Sequence, residues 1–333
     1  MTASFRALVV DQTGADAEVT AHVGTLTQDQ LPPGDILIRV SYSSVNYKDG
    51  LASKANGGIV KSYPFVPGID CSGTVVSSTD DHFREGQAVL VTGYGLGVSQ
   101  YGGFSEYVRV PKEWVVPLPE GLSLRDAMIF GTAGFTAALS IHKLEQHGMR
   151  PEAGPVLVTG ATGGVGSTAV AMLAHRGYEV SASTGKASSH SYLQSLGARH
   201  LLTREEVYEG GKIKALDKQL WQAAVDPVGG HALAAVLSKI TYGGAVAVSG
   251  LTGGAAVPTS VHPFILRGIS LLGIDSVFCP TELRRLLWNR MATDLMPSQT
   301  ELLVEQEIAL DELPQALSKI LQGQATGRTL VRL

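Results

Sequence analysis

The chain has 333 residues, of which 44% are hydrophobic and 17% charged, a composition that suits a folded globular protein. At about 100–200 residues per domain it has room for two domains. Its 26 basic and 30 acidic side chains leave a net charge of −4 with no basic stripe, and two cysteines, Cys71 and Cys279, are too few for a disulfide framework or a four-cysteine zinc lobe; nucleic acid and anionic membrane are thereby excluded as general partners.

In chain order, the stretch Met1–Asp11 reads as an initiator followed by a strand over Phe5–Val10. No basic region leads into a long apolar stretch there, so no signal peptide is expected and the protein is read as cytoplasmic. No run reaches the ~20 apolar residues that span a bilayer. Up to about residue 125, short apolar runs alternate with turn residues. Asp35–Val40 follows Pro32-Pro33-Gly34, Gly73–Val76 follows Pro67-Gly68, and Ala88–Val91 follows Glu85-Gly86. Such spacing predicts an all-β or barrel-like domain.

From Leu124 the period becomes helical and holds to Leu144, through the small residues Gly131-Thr132-Ala133-Gly134. Strand-like runs then recur at Val156–Thr159, Glu179–Ser183, Ala223–Asp226, Ala245–Val248 and Ile269–Gly273, with helices such as Val165–Arg176 and Ser188–Leu196 between them. This alternation predicts an α/β domain with a doubly wound parallel sheet covered on both faces. A helix over Leu310–Leu321 and a strand over Thr329–Arg332 close the chain, and the strand most simply returns to the first domain's sheet.

The chemistry is concentrated after Val156–Thr159, where the chain reads Gly160-Ala161-Thr162-Gly163-Gly164-Val165-Gly166 and enters an alanine-rich helix. Glycine permits the sharp turn and the close approach of backbone to a pyrophosphate, which the helix N-terminus then attracts. Gly166 lets helix and strand pack closely. Ala161 departs from the dinucleotide fingerprint, which has glycine there. An NAD site usually places Asp or Glu ~20 residues further on to hold the ribose. Here the second strand ends in Ser183-Thr184-Gly185-Lys186, and Arg204 follows the next strand-like run, His200-Leu201-Leu202. Hydroxyls and cations bind a 2′-phosphate that an acid would repel, so NADPH is the cofactor expected. Leu251 and Ser276 lie in loops after later strands, beyond whose carboxyl ends ligands of open α/β sheets bind, and are candidate cofactor contacts.

Five segments together resemble the zinc-independent medium-chain dehydrogenase/reductases of the quinone oxidoreductase family. They are Ser44–Asp49, Val66–Asp70, Gly131–Ala137, the Gly160–Gly166 turn and Gly327–Val331. Asn46-Tyr47-Lys48-Asp49 and Thr184-Gly185-Lys186 are similar to the acrylyl-CoA reductase branch. The resemblance implies a GroES-like β-barrel domain from residues 1–124 and 301–333, a Rossmann domain from 125–300, and a homodimer. Zinc-dependent relatives have a Gly-His-Glu stretch where this chain has Gly68-Ile69-Asp70, so no metal site is expected.

The implied reaction is hydride delivery to an activated alkene, with acrylyl-CoA, a small acyl-CoA thioester, as substrate. The resemblance places Tyr47 beside the nicotinamide, where its phenol can donate a hydrogen bond or position the cofactor. Asn46 can donate from its amide and Asp49 can orient its neighbours; equally, both can cap the helix that follows. Lys54 and Lys61, flanking Gly57-Gly58, read as a solvated loop rather than as ligands of a CoA phosphate. Reduction of quinones or enals, and a non-catalytic NADPH-binding or sensor role, remain the alternatives.

Overall fold

The structure, a computed structural model, describes residues 4–13 and 18–333; the initiator position lies outside them. Strands β1 (Ser4–Thr13) and β2 (Glu18–Thr27) pair antiparallel. After Pro32-Pro33-Gly34 come β3 (Ile36–Ser44) and helix α1 (Tyr47–Ala52). Next are β4 (Asp70–Ser78), β5 (Ala88–Thr92), β6 (Tyr107–Val110) and β7 (Val115–Pro117). β-branched residues recur in these strands, where they fit a pleated surface. Ile36, Ile38, Val75, Val89, Val108 and Val110 accordingly share one apolar core.

Helix α2 (Leu124–Gln146), predicted from its period as one stretch, is broken at Gly131, where φ is 52° and ψ −154°. The alternating part follows. Its strands are β8 (Val156–Val158), β9 (Val180–Ser183), β10 (His200–Leu202), β11 (Trp221–Asp226), β12 (Ile240–Val248) and β13 (Ser270–Gly273). Between them run α3 (Gly164–His175), α4 (His190–Ser195), α5 (Arg204–Val207), α6 (Gly230–Lys239) and α7 (His262–Arg267). The sheet is parallel, in the order β10-β9-β8-β11-β12-β13. With β8 as first strand this is the 3-2-1-4-5-6 order of a dinucleotide-binding sheet. Strand β11, at its centre, is buried along its whole length.

Helix α8 (Thr281–Met291) leads to β14 (Val304–Ala309), α9 (Leu313–Leu321) and β15 (Arg328–Arg332). Strand β15 pairs antiparallel with β3 through Leu330 and Ser44, and parallel with β14. The terminal strand thus returns to the first sheet, whose order is β14-β15-β3-β4-β5-β7 with β6 on β3. No helix among the described residues is long and apolar enough to cross a membrane.

The chain divides into two units. One runs to Thr132 and adds Val277–Asn289 and Val304–Leu333; the other holds Ala133–Ser276 and Arg290–Leu303. The division therefore falls inside α2, past Gly131, and not at the residue 124/125 boundary read from the sequence. Two buried arginines account for it. The Arg328 Nε donates to Ile129 O at 3.0 Å and keeps the first part of α2 with the barrel strands. Arg284, on α8, donates to Thr92 O at 2.9 Å and holds that helix on β5.

Candidate functional site

In the unit with the parallel sheet, β8 ends at Val158 and the chain turns through Thr159 and Gly160. Gly160 takes φ 54°, in the left-handed region, and a Cβ there would stand 3.1 Å from Val228 Cγ2. A Cβ on Gly166, in the first turn of α3, would collide with the Gly160 carbonyl oxygen and stand 2.7 Å from Ala161 Cα. The absent side chain is what lets α3 start directly on the turn. Gly163 precedes α3 in an extended conformation, and Gly164 and Val165 open the helix. Ala161 is fully buried, its N–H donates to Ser183 O at 3.0 Å, and its φ is not positive. The position therefore accepts a methyl group without strain, which explains the departure from glycine.

The ends of β8 and β11 are tied by Asp226, whose buried carboxylate accepts from Thr159 Oγ1 at 2.5 Å and from Gly229 N at 2.7 Å. Burial pushes this carboxyl above the ordinary range despite those two donors. Beside the turn, the Thr162 and Thr184 hydroxyls lie 3.4 Å apart, and Thr184 Oγ1 accepts from Lys186 N at 3.0 Å. A Cβ on Gly185 would stand 2.5 Å from Arg204 Nε, so the guanidinium lies across a residue that has no side chain to obstruct it. The structure thus gathers Thr162, Thr184, Gly185, Lys186 and Arg204 into one group. Leu251, 66% exposed, follows β12 with its backbone beside Gly229, and the partly buried Ser276 follows β13.

Two polar atoms in this unit stand out, one in the Ser249-Gly250-Leu251 loop that the sequence also offers as a cleft candidate and one on His190, which sequence reasoning missed. Ser249 Oγ, just past β12, and His190 Nε2, on α4, are buried with no hydrogen-bond partner. A serine and a histidine in helix- or turn-forming contexts carry no sequence signal of that state, which only packing reveals.

In the other unit, Asn46 is extended (φ −125°, ψ 159°) and precedes α1, whose first residue is Tyr47. The Asp49 carboxylate accepts from Asn46 N at 2.8 Å and Ile69 N at 2.9 Å, while Asp49 N donates to Asn46 O at 3.0 Å. The Asn46 side chain turns inward. Its amide nitrogen donates to Asp70 Oδ2 at 2.7 Å and Ser44 O at 3.2 Å, and its oxygen accepts from Arg328 Nη1 at 3.3 Å. Asn46 and Asp49 therefore spend their hydrogen-bonding capacity within the protein. Of the three catalytic candidates Tyr47 alone is exposed, at 49%.

Asp70, fully buried, also accepts from Ser44 Oγ at 2.7 Å, Thr132 N at 2.9 Å and Thr132 Oγ1 at 2.5 Å. The Arg328 guanidinium donates to Ser44 Oγ at 2.8 Å and stands 3.8 Å from Asp70 Oδ2. A Cβ on Gly131 would fall among Asp70, Ser44 and Arg328, which explains both the glycine and the break in α2. Burial first, and the Asp70 charge second, push the Asp49 carboxyl up to about 7. The Gly68-Ile69-Asp70 stretch thus delivers its carboxylate to hydroxyl, amide and guanidinium donors. Among the described residues no group of three or more His, Cys, Asp or Glu is arranged to hold a metal ion.

A glycine turn at the carboxyl edge of a doubly wound sheet, in a chain whose two ends share a second sheet, defines the medium-chain dehydrogenase/reductase class. Residues 32–120 match the alcohol dehydrogenase GroES-like domain and residues 164–293 the zinc-binding dehydrogenase domain. YhfP of Bacillus subtilis, which carries a quinone-oxidoreductase name, is 57% identical over the whole of both chains; its crystal structure with NAD bound has a TM-score of 0.97. Acrylyl-CoA reductase AcuI of Ruegeria pomeroyi is 48% identical over 98% of each chain. The yhdH oxidoreductase of Salmonella enterica, in complex with NADP, is 48% identical over 98% of this chain and 99% of that one, with a TM-score of 0.95. The chain belongs to the zinc-independent quinone oxidoreductase family of the medium-chain dehydrogenase/reductases.

Proposed function

We propose that this oxidoreductase uses NADPH to reduce the C=C bond of a short α,β-unsaturated thioester, converting acrylyl-CoA to propionyl-CoA. The observation that carries the substrate is the 48% identity to an acrylyl-CoA reductase over 98% of both chains. The NADP complex of the Salmonella relative supports the cofactor. So do the turn, where Gly166 leaves the space a Cβ would fill, and the loop after β12, where Ser249 Oγ lies buried without a partner.

In this reading Gly160, Thr162, Gly163, Gly164, Val165 and Gly166 hold the pyrophosphate, with the N-terminus of α3 supplying N–H donors. Thr184, Gly185, Lys186 and Arg204 hold the 2′-phosphate, and Leu251 and Ser276 border the rest of the dinucleotide. Bound there, NADPH supplies the hydride that goes to the β-carbon of the substrate. Tyr47 donates its phenolic hydrogen bond to the thioester oxygen as negative charge builds there, which lowers the barrier only if the donor is already in place. Solvent supplies the proton to the α-carbon, so one NADPH and one proton are consumed per propionyl-CoA.

A second reading, reduction of quinones or enals, is favoured by the quinone-oxidoreductase name of the 57% identical relative. NADPH oxidation by the purified protein with acrylyl-CoA, a benzoquinone and an enal separates the two. The expected result is a kcat/KM at least ~10-fold higher for acrylyl-CoA, since its CoA portion offers remote binding energy that a benzoquinone or an enal lacks. Equal or faster quinone turnover would replace the thioester assignment. Tight NADPH binding without any turnover would leave a binding protein.

A further inference from the structure

At the centre of the group around Asp70, Asp70 and Ser44 are fully buried and Arg328 is nearly so. We infer that Asp70 and Arg328, acting through Ser44 and Asn46, are positioning residues that fix the start of α1 and so aim the Tyr47 phenol. The inference rests on the reading of Tyr47 as the hydrogen-bond donor to substrate.

Helix α1 has six residues, too few to hold its own N-terminus by helix propensity. Its geometry must come from tertiary contacts, and these converge on the residues just before Tyr47. Ser44 Oγ lies between the carboxylate and the guanidinium, donating to Asp70 Oδ2 at 2.7 Å and accepting from Arg328 Nη2 at 2.8 Å. Arg328 Nη1 reaches Val45 O at 3.4 Å and Asn46 Oδ1 at 3.3 Å. Asn46 Nδ2 donates to Asp70 at 2.7 Å. The same two charged groups grip the break in α2, through Thr132 N at 2.9 Å and Ile129 O at 3.0 Å. Three consecutive residues ahead of Tyr47 are thus bound to one ion pair, which is itself anchored on a second helix.

Stability alone is a poor reason for this arrangement. A buried ion pair loses in desolvation much of what it gains in attraction, and apolar residues of similar volume often serve as well. What charged, directional partners provide is one defined geometry. An asparagine that would normally cap the helix through its side chain instead points away from it, into the network.

The test is a double-mutant cycle between the network and the phenol, measured with NADPH and acrylyl-CoA. Asp70→Asn keeps the shape and removes the charge. It is expected to lower kcat ~10-fold or more, the usual weight of a hydrogen bond to a charged group, with the KM for acrylyl-CoA within ~2-fold of the parent. Tyr47→Phe is expected to lower kcat as well. In the Tyr47→Phe background Asp70→Asn should cost less than ~3-fold, because there is no phenol left to aim. Ser44→Ala, which deletes one hydroxyl, runs the same cycle if Asp70→Asn does not fold. Slow Tyr47→Phe with fully additive losses would overturn the positioning role and leave the Tyr47 reading standing. Tyr47→Phe at full rate would overturn both.

Discussion

Asp49 is a carboxyl group sealed from solvent, held by two backbone amides and repelled by the Asp70 carboxylate, and its protonated form is favoured up to about pH 7. In the unfolded chain the same group titrates near ~3.9. Between those values the native state binds a proton that the unfolded state has lost, so this residue's contribution to stability falls as pH rises through that window. Urea denaturation at about pH 5 and about pH 8 should therefore show a loss of stability on raising the pH that is smaller in Asp49→Asn. An unchanged difference between the two pH values would contradict the assignment. At this scale the sequence was legible where contacts are local. For Asn46 and Asp49 the sequence offers a catalytic role and a helix-capping one, and the capping contacts are present through the Asp49 carboxylate and the Asn46 backbone. The inward turn of the Asn46 side chain was not legible, because its partner Arg328 lies 282 positions away in the chain.

At the scale of elements, the turn from β8 into α3 was legible because strand, glycines and helix are contiguous in the chain. Its tightest requirement is at Gly166, where any Cβ meets backbone and not a flexible side chain. Overpacking of that kind costs about 1–3 kcal/mol, and here the strain falls on the turn proposed to hold the pyrophosphate. Gly166→Ala should lower the melting temperature and weaken NADPH binding ~10-fold or more, as read by fluorescence titration. Parent-like affinity would show that the turn can relax and that its shape does not set binding. Helix α2 was less legible. Its apolar period runs through Gly131, and nothing local signals a φ of 52° there. The cause is the side-chain group on the other side of that glycine, supplied by β3, β4 and β15.

For the molecule as a whole, alternation of strands and helices led to a doubly wound sheet because parallel strands need crossovers and crossovers have a fixed hand. The return of β15 to the first sheet was likewise legible from a lone strand left over at the chain's end. The division between the units was not, since it depends on which unit Arg284 and Arg328 grip. Nor does the fold choose the substrate. Related sheets and turns serve relatives named for quinones and for acrylyl-CoA. The central claim is that hydride passes from NADPH to the β-carbon of an unsaturated thioester. It is tested most directly by running the reaction with acrylyl-CoA and NADPH deuterated at both C4 positions, then locating the label by NMR. The account expects deuterium at the β-carbon of propionyl-CoA and none at the α-carbon. Label at the α-carbon, or NADPH consumed without labelled propionyl-CoA, would contradict it.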